Sequence, residues 1–107
     1  MTKQNNEPDQ EDMSVKEVYI LRLFITGASP NSLRAIANLK EICETHLKGN
    51  YELEVIDVYQ QPLIAQSEQV IALPMLIKMS PSPVRRLIGD MSDTEKVLRG
   101  LGLSVAR

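Results

Sequence analysis

The sequence predicts a single α/β domain built on a right-handed strand–helix–strand unit. Three observations lead there. Val18 to Ile25 is an apolar run, rich in β-branched and aromatic residues, with Arg22 as its only charge. That is the composition of a strand covered on both faces. A helical pattern with start and stop signals follows from Ser29 to Gly49, and "YELEVIDV" then reads as a second strand. A strand, a helix of about 18 residues and a strand make a βαβ unit with parallel strands.

The loop "TGASPNS" joins the first strand to the helix. Ligands collect at such strand ends in α/β proteins, and a glycine beside a helix N-terminus suits an anion. The loop lacks the second glycine and the Lys-Ser/Thr of a P-loop. It reads as a capped helix start, with Ser29 as N-cap and Pro30 at the first helical position. Leu33, Ile36, Ala37, Ile42 (or Cys43) and Leu47 recur at helical spacing and mark the expected buried face. Lys48 favours the helix dipole and Gly49 suits a left-handed cap. The second strand alternates at Tyr51, Leu53 and Val55 and turns wholly apolar at Ile56 and Val58.

The second half gives weaker signals. Pro62 can open a short helix, and "LPMLIKM" and "PVRRLIGD" read as short strands joined by "SPSP". "SDTEKVLRGL" starts a helix with a capping box, Ser92 paired with Glu95. Gly100 and Gly102 each cost a helix interior up to about 1 kcal/mol. Leu101, Leu103 and Val105 meanwhile fall at a period of two, which is strand spacing. Conflicting local signals of this kind mark a chain with two competing packings.

Composition narrows the function. A chain of 107 residues, 43% apolar and 24% charged, suits one soluble domain. Residues 1–13 hold one lysine, four acids and little to bury, which predicts a disordered acidic tail ahead of a domain over residues 14–107. Of the 12 Lys/Arg and 14 Asp/Glu, that tail takes one and four, so the domain is close to neutral. Strong non-specific nucleic-acid binding needs a basic face and is argued against. No run reaches the roughly 20 apolar residues of a membrane span and no signal peptide is readable, so a cytoplasmic protein is expected.

One cysteine and one histidine leave no disulfide and too few soft ligands for a zinc or iron site. Cys43, within the helix and beside Glu44, reads as a packed structural thiol rather than a reactive one. His46 reads as a surface residue near the helix C-terminus. No catalytic constellation, cofactor site or metal site is expected. Leu73-Pro74, entering a strand, suits a cis peptide as well as an ordinary trans edge proline. Arg85 and Arg86 should face opposite sides of their strand, one of them paired and the other open to solvent or a partner.

The element order βαβαββα, with "LP" before the third strand, resembles the thioredoxin fold. There a cis-proline faces a C-x-x-C at the start of the first helix. Here that place holds "GASPNS", with no cysteine and no serine-for-cysteine remnant that would keep a thiol partner. The resemblance sharpens across residues 18–104. "TGASPNSLRAIANLKEI", "YELEVIDV", "QQPLIAQSEQVIALPMLIK" and above all "SPSPVRRLIGDMSDTEKVLRGL" are similar to the KaiB family of circadian clock proteins.

That resemblance implies a non-catalytic regulator that binds the ring-shaped ATPase KaiC, in circadian timing or stress adaptation. It implies partner-binding roles for Arg34, Lys78, Arg85 and Arg86. It also implies a metamorphic chain, with a ground state of order βαββααβ forming a dimer or tetramer and a rarer thioredoxin-like monomer that binds KaiC. Pro74, Gly100 and Gly102 are the fold-switch positions on this reading. Glu52 and Glu54 stand where clock members carry a small residue and a lysine, which puts KaiA binding in doubt. Gly102 replaces a typical aspartate, and the acidic C-terminal tail is missing. Two rival readings are a thioredoxin-like thiol oxidoreductase using Cys43 and a free-standing sensor domain that binds a signalling kinase.

Overall fold

The computed structural model describes residues 17–70 and 72–103. The acidic segment 1–13 and Val105 lie outside the described residues. The elements run β1 (Tyr19–Ile25), α1 (Pro30–His46), β2 (Tyr51–Asp57), α2 (Pro62–Ser67), β3 (Met75–Ser80), β4 (Arg85–Ile88) and α3 (Thr94–Gly100). They form one four-stranded sheet of order β2-β1-β3-β4. β1 and β2 are parallel, with Tyr19 opposite Tyr51 and Ile25 opposite Asp57. β3 runs antiparallel to β1, and β4 antiparallel to β3, as the "SPSP" connection predicts.

The central strand is apolar on both faces because helices cover both. Leu21, Leu23 and Ile25 join Ala35, Leu39, Ile42 and Cys43 of α1 and Val97, Leu98 and Leu101 around α3 in one cluster. On the other face Phe24, Ile56, Met75 and Ile77 form a smaller core, flanked by Ile64 and Ala65 of α2. Helix α2 is only 6 residues long, so it shields just the end of the sheet near Phe24 and Met75. At the other end Ile20, Arg22, Glu52 and Glu54 border a shallow open depression.

Three sequence expectations shift. The buried face of α1 carries Ser32, Ala35, Leu39, Ile42 and Cys43, whereas Leu33 is 54% exposed and Ala37 is also exposed. Apolar residues occur on both sides of this helix, and only the sheet beneath it fixes which stripe is covered. Asp93, not Ser92, caps α3, its carboxylate accepting the Lys96 amide at 3.1 Å. Gly102 is no helix-interior residue either. Its φ is +80°, the Gly102 amide donates to Arg99 O at 3.0 Å and the Leu103 amide to Leu98 O at 2.8 Å. This paired geometry is a Schellman motif with glycine at C′. The "LGL" that clashed with a helix is the signal that ends one. Leu103 then returns to the core.

Candidate functional site

The turn between β1 and α1 is built from hydroxyl groups. Ser29 caps the helix, accepting the Ser32 amide at 3.2 Å. Its own hydroxyl donates to Ser32 Oγ at 2.8 Å, and Ser32 Oγ accepts the Thr26 amide at 3.1 Å. Ser32 is fully buried. Ser29 and Ser32 thus occupy N-cap and N3, the spacing of a C-x-x-C motif. Neither serine has a thiol among its hydrogen-bond partners, which are Thr26 and each other. The two hydroxyls close the turn by hydrogen bonds.

Cys43 lies elsewhere, fully buried on α1. Burial, reinforced by the Glu44 carboxylate, pushes its thiol up to about 11. A thiol held protonated cannot act as a thiolate nucleophile. Leu73-Pro74 is cis. His46 is exposed in the last turn of α1. The groove lined by Leu87, Gly89, Asp90, Met91, Lys96 and Val97 brings no cysteine or histidine beside its acids. Among the described residues no cluster of His, Cys, Asp or Glu suits a metal ion, and no helix is long and apolar enough to cross a membrane.

The basic residues form three separate loci. Arg34, exposed on the second turn of α1, pairs through Nε with Asp90 Oδ2 at 3.3 Å and donates to Asn31. Asn38, one turn on, donates to the Asp90 carbonyl at 2.9 Å. The Ser92 hydroxyl and amide, followed by Arg34, hold the Asp90 carboxyl below the usual carboxylate range. This clasp ties α1 to the β4–α3 loop. Sequence reading missed Asp90, although an acid directly after a strand-ending glycine is a signal for a turn carboxylate.

Lys78 and Arg85 form the second locus, at the opposite end of the sheet. They are cross-strand partners on the α1/α3 face. Arg85 is exposed, whereas the expected partner-binding residue Lys78 is only 3% exposed. A Cβ placed on Gly102 would lie 3.9 Å from Lys78 Nζ, so the end of α3 roofs the ammonium. Burial lowers its pKa and Arg85 adds to that, while Glu17 opposes.

Arg86, on the other face and exposed, makes the third locus by donating to the Glu68 carbonyl at 2.7 Å. The Glu68 carboxylate receives Arg22 Nη1 at 3.3 Å, and Arg22 Nε meets Glu54 at 3.4 Å. The belt fastens the end of α2 across β1 and β4. Arg85 and Arg86 do face opposite sides, as predicted. The four partner-binding candidates do not converge on one patch: Lys78 and Arg85 meet, while Arg34 and Arg86 stand apart.

The profile of the KaiB domain matches residues 22–103 of this chain. The circadian clock oscillator protein KaiB of Prochlorococcus marinus (strain MIT 9515) is 53% identical over 91 residues, 85% of this chain and 84% of that one. The protein of the same name from a Picosynechococcus species is 52% identical over 89 residues, 83% of this chain and 86% of that one. Among solved structures, the N-terminal domain of Synechococcus elongatus SasA superimposes with a TM-score of 0.67 at 21% identity, covering 94% of this chain and 98% of that domain. The Drosophila melanogaster thioredoxin Deadhead gives 0.65 at 13%, with 80% of each chain covered. At such identities the two structures speak to the fold alone, and the fold is thioredoxin-like.

Proposed function

This chain belongs to the KaiB family, and from that premise we propose that it is a non-catalytic regulator that docks on a KaiC-like ATPase ring. The observation that carries the reading is the 53% identity over 91 residues to a circadian clock oscillator protein. The chemistry of the chain agrees with it. Cys43, the sole thiol, is buried and held protonated, which leaves the oxidoreductase reading without a nucleophile. Exposed guanidinium groups at Arg34, Arg85 and Arg86 suit a partner surface rich in carboxylates.

The thioredoxin-like packing is the binding form on this reading. A second packing of the C-terminal half, order βαββααβ, supplies a resting dimer or tetramer. Pro74, Gly100 and Gly102 lie in the part that would reorganise. Glu52 and Glu54 on the free edge of β2 give that edge a negative charge, so a KaiA-type partner needing a basic edge would be repelled. The output is timing or stress adaptation driven through the ring.

Size-exclusion chromatography with light scattering tests the docking. The chain, mixed with a KaiC-like ring in the presence of ATP, should co-elute with it, and Arg34→Glu should weaken the complex. Separate elution at every concentration and nucleotide state would sink the proposal.

A further inference from the structure

Residues 60–70 cross the smaller core as a strap. Beneath them Phe24, Ile56, Met75 and Ile77 are almost wholly covered, yet no side chain of α2 is itself buried, and Leu63 is 77% exposed. A helix of 6 residues with so little apolar hold does not stand alone. The front of the strap is hinged on β2, where the Asp57 carbonyl accepts the Gln60 and Gln61 amides at 3.0 and 2.9 Å. The back is tied by charge. Glu68 is the only charged residue of the strap; its carboxylate receives Arg22 Nη1 at 3.3 Å and its carbonyl receives Arg86 Nη1 at 2.7 Å. The residue after it works against closure. The Gln69 amide donates to Gln66 O and the Val70 amide to Ala65 O, both at 3.1 Å, a Schellman motif with Gln69 at C′. The same position after α3 is a glycine, but here a glutamine holds a φ of +57°. A side chain in that region is strained, and such strain persists only where neighbouring contacts hold it.

We infer that Glu68 is the latch of a strained strap, residues 60–70, which lifts about its Asp57 hinge when Arg22 and Arg86 are screened or drawn away, baring Phe24 and Met75. Lifting melts α2, since so short a helix loses its support with the sheet. The opening is therefore set by ionic strength and by any acidic group that competes for the two guanidinium groups. An acidic partner seated on Arg86 would couple its own docking to the opening. That coupling rests on the ring-docking reading, whereas the latch itself does not.

Amide hydrogen exchange of the full chain, followed by NMR, tests the latch. The Val70 amide should exchange far faster than that of Leu23 on the central strand and, unlike Leu23, should ignore low concentrations of denaturant, the mark of a local opening. Glu68→Gln should quicken exchange at Val70 by about two- to fivefold. Gln69→Gly should slow it by about the same factor, because the strain is relieved. Raising sodium chloride to about 1 M should bring the wild-type rate to that of Glu68→Gln and leave the variant where it is. A Val70 amide that exchanges no faster than Leu23, or at a rate that neither Glu68→Gln nor salt changes, overturns the inference, even if the chain binds the ring. The expected rates in a chain that leaves the ring unbound would keep the latch and remove the docking reading instead.

Discussion

Arg34 on α1 and Asp90 in the β4–α3 loop meet at 3.3 Å, so the residue proposed to face the partner is also the one that ties two elements together. Arg34→Glu should therefore weaken ring binding and also place two carboxylates side by side. Asp90→Asn separates these effects: it removes the clasp's charge and leaves the Arg34 guanidinium free. Titration calorimetry should show Arg34→Glu losing affinity and Asp90→Asn keeping it. Equal losses would make the clasp, rather than the guanidinium, the functional element.

The same carboxylate sets a pH dependence. Ser92 and, more weakly, Arg34 lower the pKa of Asp90. Its stabilisation is fully present above the ordinary carboxylate pKa and is lost as pH falls through the lower folded value. The Asp90 side-chain resonance should titrate below the exposed carboxylates of the chain, and Ser92→Ala should move it upward. A midpoint unchanged in Ser92→Ala would contradict the assigned cause.

Gly102 predicts a backbone penalty free of steric conflict. A Cβ there meets nothing closer than Lys78 Nζ at 3.9 Å, ordinary contact, but the φ of +80° remains. Gly102→Ala should cost this fold about 1 kcal/mol, read as a lower thermal midpoint, and Gly102→Asn should cost less. Equal midpoints for the two variants would argue that the Schellman geometry does not hold in solution.

Gly100 is a different case. Alanine there gains up to about 1 kcal/mol of helix propensity, but its Cβ would lie 2.5 Å from Leu87 Cδ1. Leu87 is partly buried against the core and its Cγ also lies 2.9 Å from that Cβ, so the whole side chain must shift and Gly100→Ala should gain less than the full propensity. A double-mutant cycle exposes the opposition. Gly100→Ala should stabilise more in a Leu87→Ala background than in wild type, and additivity within error would contradict the contact.

With its thiol pKa near 11, only about one Cys43 in a thousand is a thiolate at pH 8. Iodoacetamide should label the native chain at the rate of its opening and the unfolded chain at once. Cys43→Ala should leave ring binding intact.

The first half of the fold was legible because each signal there is local. A run of β-branched residues, a serine-proline start and a glycine stop name β1, α1 and β2 without help from the rest of the chain. What failed needed a second element. The stripe of α1 that is covered depends on the sheet, so Leu39 was overlooked and Leu33 chosen. A lysine in a strand is not expected to be covered, and the closeness of Lys78 to the end of α3 depends on how the helix packs on the sheet. The charge of Arg22 inside an apolar strand was the clue to the Glu54 and Glu68 belt, since parallel register sets Arg22 opposite Glu54.

The hydroxyl-closed turn at Ser29 and Ser32 couples the end of β1 to the start of α1. Ser32 is fully buried and Ser29 caps the helix, so the two hydroxyls fill their places without spare room or a free hydrogen-bonding atom to exchange. A side chain at Ser32 that cannot accept would give up the buried hydroxyl that now takes the Thr26 amide and leave that donor unpaired. The turn is thus a joint rather than a site: one hydroxyl relay fixes where the strand stops and the angle at which the helix leaves it.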